Sequence, residues 1–218
     1  MKSKITILFI SFFYCSQFVN AQITKGSILL GGAASFSHTD YHYVPNNIND
    51  QIGNGGNIYI SGGKAVSENS VTGVNLQFGS ANYSYNGSLA QKQKSINYGA
   101  GVFYRKYKTL AKDFYFFLEG DLGYSYSRQK QIDSTGNELS KNTQFSVALS
   151  LLPGISYKVL KNLNLEVTLP NMFSLQYSDA KINNGTSAPP SKSNYIGFTS
   201  NLNASLLQNL FVGFRLIF

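Results

Sequence analysis

The chain has 218 residues, enough for one domain, and its formal net charge is +8 although only 13% of the residues are charged. Tyrosine (15), phenylalanine (16) and glycine (20) are abundant, whereas cysteine occurs once. A single cysteine excludes an internal disulfide and a cysteine-rich metal site. The positive charge is too modest to indicate a nucleic-acid partner, although it agrees with attraction to an acidic surface.

The N-terminus has the pattern of a secretory signal. Lys2 and Lys4 precede an apolar run at 5–13, and Val19-Asn20-Ala21 supplies a cleavage site before Gln22. The run is too short for a transmembrane helix, which needs about 20 residues. The sequence therefore predicts a cleaved signal peptide at 1–21 and a mature domain at 22–218. Cleavage would also remove Cys15, whose bulky preceding residues do not fit a lipidation signal.

Apolar residues alternate with small or polar residues through most of the mature chain. Period-two alternation with one apolar face is typical of β-strands. The segments with the clearest alternation lie at 96–105, 114–127, 144–157, 163–176 and 195–218, and weaker ones lie at 26–37, 56–66 and 70–83. In the last segment the apolar residues keep even positions throughout, which predicts one long strand, bulged near Gln208, rather than a hairpin.

Connections between these strands alternate in length. The predicted long loops are polar and lie at 38–55, 84–95, 128–142 and 178–194, whereas the connections at 67–70, 108–113 and 159–162 are short. Long loops on one side and short turns on the other are typical of outer-membrane barrels. Tyrosines cluster where strands meet loops, as expected of an interfacial girdle; they are Tyr41, Tyr43, Tyr83, Tyr85, Tyr124, Tyr126, Tyr177 and Tyr195.

A soluble barrel with the apolar residues inside is the main alternative fold. The interior of an eight-stranded barrel is only just wide enough to be filled by side chains. It cannot hold this many Phe, Leu, Ile and Tyr residues, whereas the Gly, Ser, Asn and Thr face fits it. The sequence predicts an all-β protein, an eight-stranded antiparallel transmembrane up-and-down β-barrel in the bacterial outer membrane.

Several segments resemble the outer membrane protein beta-barrel domain family, whose small barrels are similar to OmpX and the transmembrane domain of OmpA. They are 98–107 (YGAGVFYRKY), 116–126 (FFLEGDLGYSY), 152–157 (LPGISY), 162–169 (NLNLEVTL) and 209–218 (NLFVGFRLIF). The resemblance implies the fold and carries no catalytic pattern. Phe214, Leu216 and Phe218 resemble the C-terminal signal that the barrel-assembly machinery reads.

Five ionisable residues lie on the predicted polar faces: Arg105, Glu119, Asp121, Glu166 and Arg215. In a narrow lumen, unpaired charge is costly, so we expect these residues to form an ion-pair network. Glu119 and Asp121 resemble an acid pair but are expected to share Arg105. A rearranging network that conducts ions is the functional alternative.

The segment 38–42 contains two histidines at the top of the first strand and the start of the first loop. His38, Asp40 and Ser37 have the residue types of a lipid A acyltransferase or deacylase, in which a base activates a nucleophile. Such residues occur together by chance in a polar loop, so no catalytic or metal site is predicted. No cofactor is expected.

The leading hypothesis is a monomeric, non-enzymatic outer-membrane barrel with a structural or surface-interaction role through its long loops. Its expected partners are outer-membrane lipid, lipopolysaccharide, the barrel-assembly machinery and a surface ligand. A narrow ion or small-solute channel is the second hypothesis, and a lipid A-modifying enzyme is the third.

Overall fold

The computed structural model describes residues 23–41, 50–86, 91–169, 172–185, 189–200 and 210–218. In this part of the chain no helix is long and apolar enough to cross a membrane. The predicted signal peptide at 1–21 lies outside the described residues, so the division at residue 22 stays a prediction.

Ten β-segments account for most of the described chain. They are β1 (Ile28–Tyr41), β2 (Asp50–Ser67), β3 (Ser70–Asn86), β4 (Gln91–Ala111), β5 (Phe114–Asp133), β6 (Glu138–Leu160), β7 (Leu163–Thr168), β8 (Phe173–Asn183), β9 (Ser191–Ser200) and β10 (Phe211–Ile217). All pairings between them are antiparallel.

The ten segments form eight barrel strands. Both β7 and β8 pair with β6, while β10 pairs with β7 and β9 pairs with β8. Thus β7 and β8 are two parts of one barrel strand, and β9 and β10 are two parts of the next. The barrel closes because β1 pairs with β10, from Leu29 opposite Ile217 to Ala34 opposite Val212. The predicted eight-stranded antiparallel barrel is confirmed.

The last barrel strand keeps the predicted parity on both sides of its interruption. Phe198 in β9 and Phe214 in β10 are both even-numbered and both exposed on the outer face. Ten residues separate β9 from β10, whereas four separate β7 from β8. The difference between these two numbers is even. The extra residues of the last barrel strand therefore do not exchange its lipid-facing and lumen-facing positions. The bulge predicted near Gln208 lies outside the described residues.

The polarity of the barrel is inverted relative to a soluble protein. Leu118 is 39% exposed on the outer face, whereas its neighbour Glu119 is 2% exposed in the lumen. The same alternation places other apolar residues outward, among them Leu122, Leu149, Leu165 and Val212. A large contiguous apolar exterior is stable only in contact with lipid. The closed ladder also satisfies backbone hydrogen bonds that lipid cannot satisfy.

Two rims of aromatic residues border this apolar exterior. Tyr98 and Tyr126 pack with ring centroids 5.1 Å apart at one level, and Phe114 and Tyr157 pack at 4.6 Å near the short turns. Phe114 and Tyr126 lie twelve positions apart on β5, about 40 Å along the strand and roughly 30 Å along the membrane normal at a tilt near 40°. That height matches a bilayer, and such rims mark its two interfaces.

The long hairpins are more regular than the sequence predicts. The predicted loops at 38–55, 84–95, 128–142 and 178–194 are too wide, because the strands continue to Tyr41, Asn86, Asp133 and Asn183 and resume at Asp50, Gln91, Glu138 and Ser191. Beyond the bilayer both faces of a strand meet water, so the side chains lose the alternation by which strands are recognised. The ladder nevertheless continues through their backbone groups.

The opposite end of the barrel has short turns and both ends of the described chain. Two residues connect β2 to β3, β4 to β5 and β6 to β7. The backbone groups of Ile28 and Phe218 exchange two hydrogen bonds of 2.9 Å. Asn69, in the first turn, has φ of 56°, a left-handed conformation that asparagine tolerates. In the usual layout of outer-membrane barrels, the end with the short turns is periplasmic and the end with the long hairpins is extracellular. The two ends of this barrel are named accordingly.

The extracellular tip between β5 and β6 predicts a local pH response. The Asp133 carboxylate accepts hydrogen bonds from Thr135 Oγ1 (2.7 Å), Thr135 N (2.9 Å) and Asn137 N (2.8 Å). These bonds, led by that from the Thr135 hydroxyl, lower the pKa of Asp133 below its usual value. The hydrogen bonds to the carboxylate therefore stabilise the tip fully at pH values above the unfolded-state pKa of about 3.9. This stabilisation is lost as the pH falls through the lower pKa that Asp133 has in the folded protein.

We expect the amide resonances of Thr135 and Asn137 to titrate together below about pH 3.9 in NMR spectra of the detergent-folded barrel. In the Asp133→Asn variant, which keeps a side-chain acceptor but has no carboxyl, that titration is expected to vanish. Titration at an ordinary aspartate pKa would contradict the hydrogen-bonded tip.

Candidate functional site in the barrel lumen

A layer of charged side chains crosses the centre of the lumen. Arg105 and Glu119 are opposite each other on β4 and β5, and Arg105 Nε donates to Glu119 Oε2 at 2.7 Å. Arg105 Nη1 donates to Glu166 Oε2 at 2.7 Å. Arg215 on β10 reaches the same carboxylate, with Nη2 3.2 Å from Glu166 Oε2. Two arginines and two glutamates therefore balance in charge, and each is at most 5% exposed.

Neutral hydroxyl groups complete this charged layer. Tyr59 Oη donates to Glu119 Oε1 at 3.1 Å, and Tyr107 Oη donates to Glu166 Oε1 at 3.0 Å. Arg215 Nη1 donates to Ser61 Oγ at 3.1 Å. A buried ion pair is tolerated when its remaining lone pairs and protons also have partners, and these hydroxyls supply them. We define the charged layer as Arg105, Glu119, Glu166 and Arg215 with Tyr59, Tyr107 and Ser61.

Asp121 does not join this layer. Its carboxylate accepts a hydrogen bond from Asn75 Nδ2 and is half-buried, one lumen position further toward the extracellular side than Glu119. The expectation that Glu119 and Asp121 share Arg105 is therefore wrong for Asp121. Sequence inspection missed Asn75 because a neutral amide on a polar face gives no sign that it will face a carboxylate on a distant segment.

An apolar layer fills the lumen on the periplasmic side of the charged layer. Leu29, Val71, Phe103, Tyr107, Tyr115, Phe117, Ala65 and Ile23 form one buried cluster. The ring of Phe117 also lies against the Arg105 guanidinium, with 4.0 Å between the guanidinium carbon and the ring centroid. Ile23, which precedes β1, is fully buried, and its backbone is hydrogen-bonded to Asn69 in the first turn. Ile23 therefore helps to close the periplasmic end.

Close packing in the apolar layer depends on glycine at position 154. A Cβ at Gly154 would lie 2.2 Å from Phe117 Cζ and 2.6 Å from the Val167 carbonyl oxygen. Such a contact is impossible without movement of the backbone or the ring. Gly154 thus leaves room for the Phe117 ring beside the Arg105 guanidinium.

A cavity of about 300 Å³ lies on the extracellular side of the charged layer. Its walls carry mainly small and polar residues, including Asn75, Gln77, Ser125, Ser146 and Gln176. Arg105, Glu119, Glu166 and Arg215 form its floor, and Asp121 faces it from one wall. The polar lining has room for water, but the charged and apolar layers separate it from the periplasmic end.

The structure does not assemble the residues considered for catalysis. His38 and Asp40 lie on β1 rather than in a loop, and both are exposed on its outer face. Ser37 lies on the opposite face, where its Oγ is beside Gly55, because adjacent residues of a strand point in opposite directions. His38 Nδ1 lies 2.8 Å from Asn54 Oδ1, its cross-strand neighbour. No group of three or more metal-ligating residues occurs within the described residues.

The closed antiparallel ladder, the apolar exterior between two aromatic rims and the polar lumen define an integral outer-membrane β-barrel. This architecture agrees with the resemblance to small OmpA- and OmpX-like barrels.

Comparison with known proteins gives likenesses of fold. No protein-family model and no curated protein matches the chain. Similar solved structures include Neisserial surface protein A (16% identity, TM-score 0.38, covering 89% of this chain and 98% of that chain). A major outer membrane protein of Thermus thermophilus has 13% identity and a TM-score of 0.45, with 88% and 99% covered. Ail, the attachment invasion locus protein of Yersinia pestis, has 14% identity and a TM-score of 0.39, with 89% and 100% covered.

Glu166 contacts both arginines, so its loss is expected to destabilise the barrel strongly. The Glu166→Gln variant keeps the shape but leaves Arg105 and Arg215 with one carboxylate between them. Removing one partner of a buried ion pair costs about 3–5 kcal/mol. The measurement is the free energy of unfolding in lipid vesicles. The folded fraction at each denaturant concentration is determined from heat-dependent gel mobility.

Asp121→Asn is the matched control for this variant, since it removes one lumen carboxylate that meets an amide rather than an arginine. We expect a loss of about 1 kcal/mol, the net value of a typical hydrogen bond. Equal destabilisation by the two variants would contradict the central role of the charged layer.

Proposed function

We propose that the protein is a non-conducting barrel with a structural role in the outer membrane and a surface-interaction role through its extracellular hairpins. The observation that carries this proposal is the two-layer closure of the lumen. A continuous aqueous path would have to cross both the charged layer and the apolar layer. Neither layer has side chains that can separate at small cost.

The cost of opening is large for both layers. Separating Arg105 from Glu119 and Glu166 would leave buried charges without partners, at several kcal/mol for each ion. Moving Phe117 would expose an apolar surface that is fully buried and would remove the contact between its ring and Arg105. Since Phe117 and Tyr107 contact both layers, opening one layer disturbs the other.

The extracellular hairpins are the part of the barrel best suited to contact other molecules. Strands β4, β5 and β6 are 21, 20 and 23 residues long, about twice the 9–11 residues that cross a bilayer. About a third of each strand therefore extends beyond the upper aromatic rim, such as the residues of β5 that follow Tyr126. The hairpins present polar side chains on both faces, which supports contact with hydrated partners.

We also propose that the barrel-assembly machinery recognises the C-terminal strand. Phe214 and Phe218 are 49% and 63% exposed on the outer face, and Leu216 lies between them at partial exposure. Before the barrel closes, β10 has a free edge that β1 later covers. An assembly factor can therefore bind the edge and these three side chains together.

A narrow channel is the competing function, because the cavity above the charged layer has room for water. We expect no single-channel conductance when the detergent-folded protein is inserted into planar lipid bilayers, since the lumen is closed. Insertion is verified by protease digestion of the exposed hairpins, and a general porin in the same bilayer is the positive control. Regular unitary current steps from the inserted protein would contradict the closed lumen.

A lipid A-modifying enzyme is the other competing function. We expect identical lipid A mass spectra from cells that lack the protein and cells that overproduce it, because Ser37 and His38 point to opposite faces of β1. A mass change present on overproduction and absent from the His38→Ala variant would overturn the non-enzymatic proposal.

A further inference from the structure

Basic side chains cluster on the outward face of the extracellular half of the barrel. Each has the same parity as the lipid-facing residues of its strand, such as Tyr98, Tyr126, Phe145, Tyr177 and Ile196. We call this set the cationic row. Its members are Lys92 and Lys94 on β4, Arg128 and Lys130 on β5, Lys141 on β6, Lys181 on β8 and Lys192 on β9.

Several members of the row are direct cross-strand neighbours. Lys94 is opposite Lys130, and Lys130 is opposite Lys141. Further round the barrel, Lys181 is opposite Lys192. Opposite side chains on one face have Cβ atoms about 4.5–5.5 Å apart, and like charges so placed destabilise a sheet. The repulsion is removed if an anion lies between the side chains.

Acidic side chains compensate the row only partly. Lys130 forms an ion pair with Glu138 at the base of the hairpin tip. The pKa of the Glu138 carboxyl is lowered by the hydrogen bond from Lys130 and by the nearby charges of Lys141 and Arg128. Among the described residues of β4 to β9 at this height, Asp179 is the other outward carboxylate. The cations of the row therefore outnumber the carboxylates clearly.

The row spans five neighbouring barrel strands and does not continue onto the other three. At comparable height, the described outward positions of β1, β2 and β3 carry no lysine or arginine. They carry residues such as His38, Asp40, Asn54, Asn82 and Ser84. A charge that served only solubility would be spread over all eight barrel strands, whereas this cluster is confined to five neighbouring ones, which favours a ligand that binds there.

The height of the row indicates which ligand it meets. Arg128 and Lys130 follow Tyr126 of the aromatic rim by two and four residues, about 7 and 13 Å along the strand. Aromatic rims mark the boundary of the hydrocarbon region, so the row lies at the level of the lipid headgroups. On the extracellular side, this level holds the phosphate groups of lipid A. Lysine and arginine both bind phosphate, arginine in a bidentate geometry.

We propose that the cationic row is a lipid A-binding surface, on which phosphate groups of one or more lipid A molecules bridge the opposed lysines of β4–β6 and of β8–β9. The acyl chains of the bound lipid lie along the aliphatic side chains beneath the rim. This goes beyond the proposed function by naming a partner and its contact residues. It does not depend on whether the lumen conducts.

The test is native mass spectrometry of the detergent-folded barrel with bisphosphorylated lipid A. We expect stoichiometric lipid A adducts for the native protein. In the triple variant Lys94→Gln/Lys130→Gln/Lys181→Gln, we expect roughly hundredfold weaker binding, since each basic residue near an anionic membrane surface contributes about 1 kcal/mol. The affinity of the native protein is expected to fall with added salt.

The matched control is Lys64→Gln/Lys106→Gln/Lys108→Gln, which removes three exposed, outward lysines at the periplasmic end of β2 and β4. It should bind lipid A as the native protein does. Heat-dependent gel mobility verifies that both variants are folded. Dephosphorylated lipid A and phosphatidylglycerol serve as competing lipids.

Three outcomes would overturn the lipid A surface. They are equal binding of dephosphorylated lipid A, equal loss of binding in the two triple variants, and equal affinity for phosphatidylglycerol. Conductance would contradict the closed lumen but leave this surface intact, so the two proposals fail independently.

Discussion

The pairing of β1 with β10 is the constraint on which the rest of the structure depends. Lipid offers no hydrogen-bond partners, so a strand edge within the bilayer would leave a row of backbone groups unsatisfied. The pairs from Leu29–Ile217 to Ala34–Val212 remove that edge. Once the ring is closed at eight strands, the lumen can hold only a thin column of side chains. Small residues must line its upper part, and any charge within it must meet a partner.

The charged layer follows from this narrowness. Strands β4 and β5 place Arg105 opposite Glu119, and β7 and β10 bring Glu166 and Arg215 to the same level from the other wall. A wider barrel would let water solvate each of them separately. Here the four groups neutralise each other, and tyrosine and serine hydroxyls occupy the sites that water would otherwise fill.

Alternation made much of this architecture predictable. The parity of Phe198 and Phe214 indicated one barrel strand across an interruption, and the polar parity selected the four charged residues of the central layer as lumen residues. It was harder to predict which lumen side chains contact each other, because the sequence of a single strand does not determine its register with distant strands. Asp121 therefore meets Asn75 instead of an arginine.

Two other features escaped prediction for lack of a repeating pattern. Ile23 was missed because a single apolar residue before a strand has no period. The hairpin lengths were missed because strands that extend into water have polar residues on both faces and so lack alternation.

The continuation of the β-ladder beyond the membrane has a consequence for recognition. Residues such as Lys130, Lys141 and Lys192 belong to paired strands, so their backbone positions are already fixed before any partner arrives. A binding loop usually loses conformational entropy when it is ordered, and that loss reduces affinity. A preorganised wall of paired strands avoids most of this cost. Weak individual contacts can then add up to firm attachment, and sequence changes on the wall alter what is bound without altering its shape.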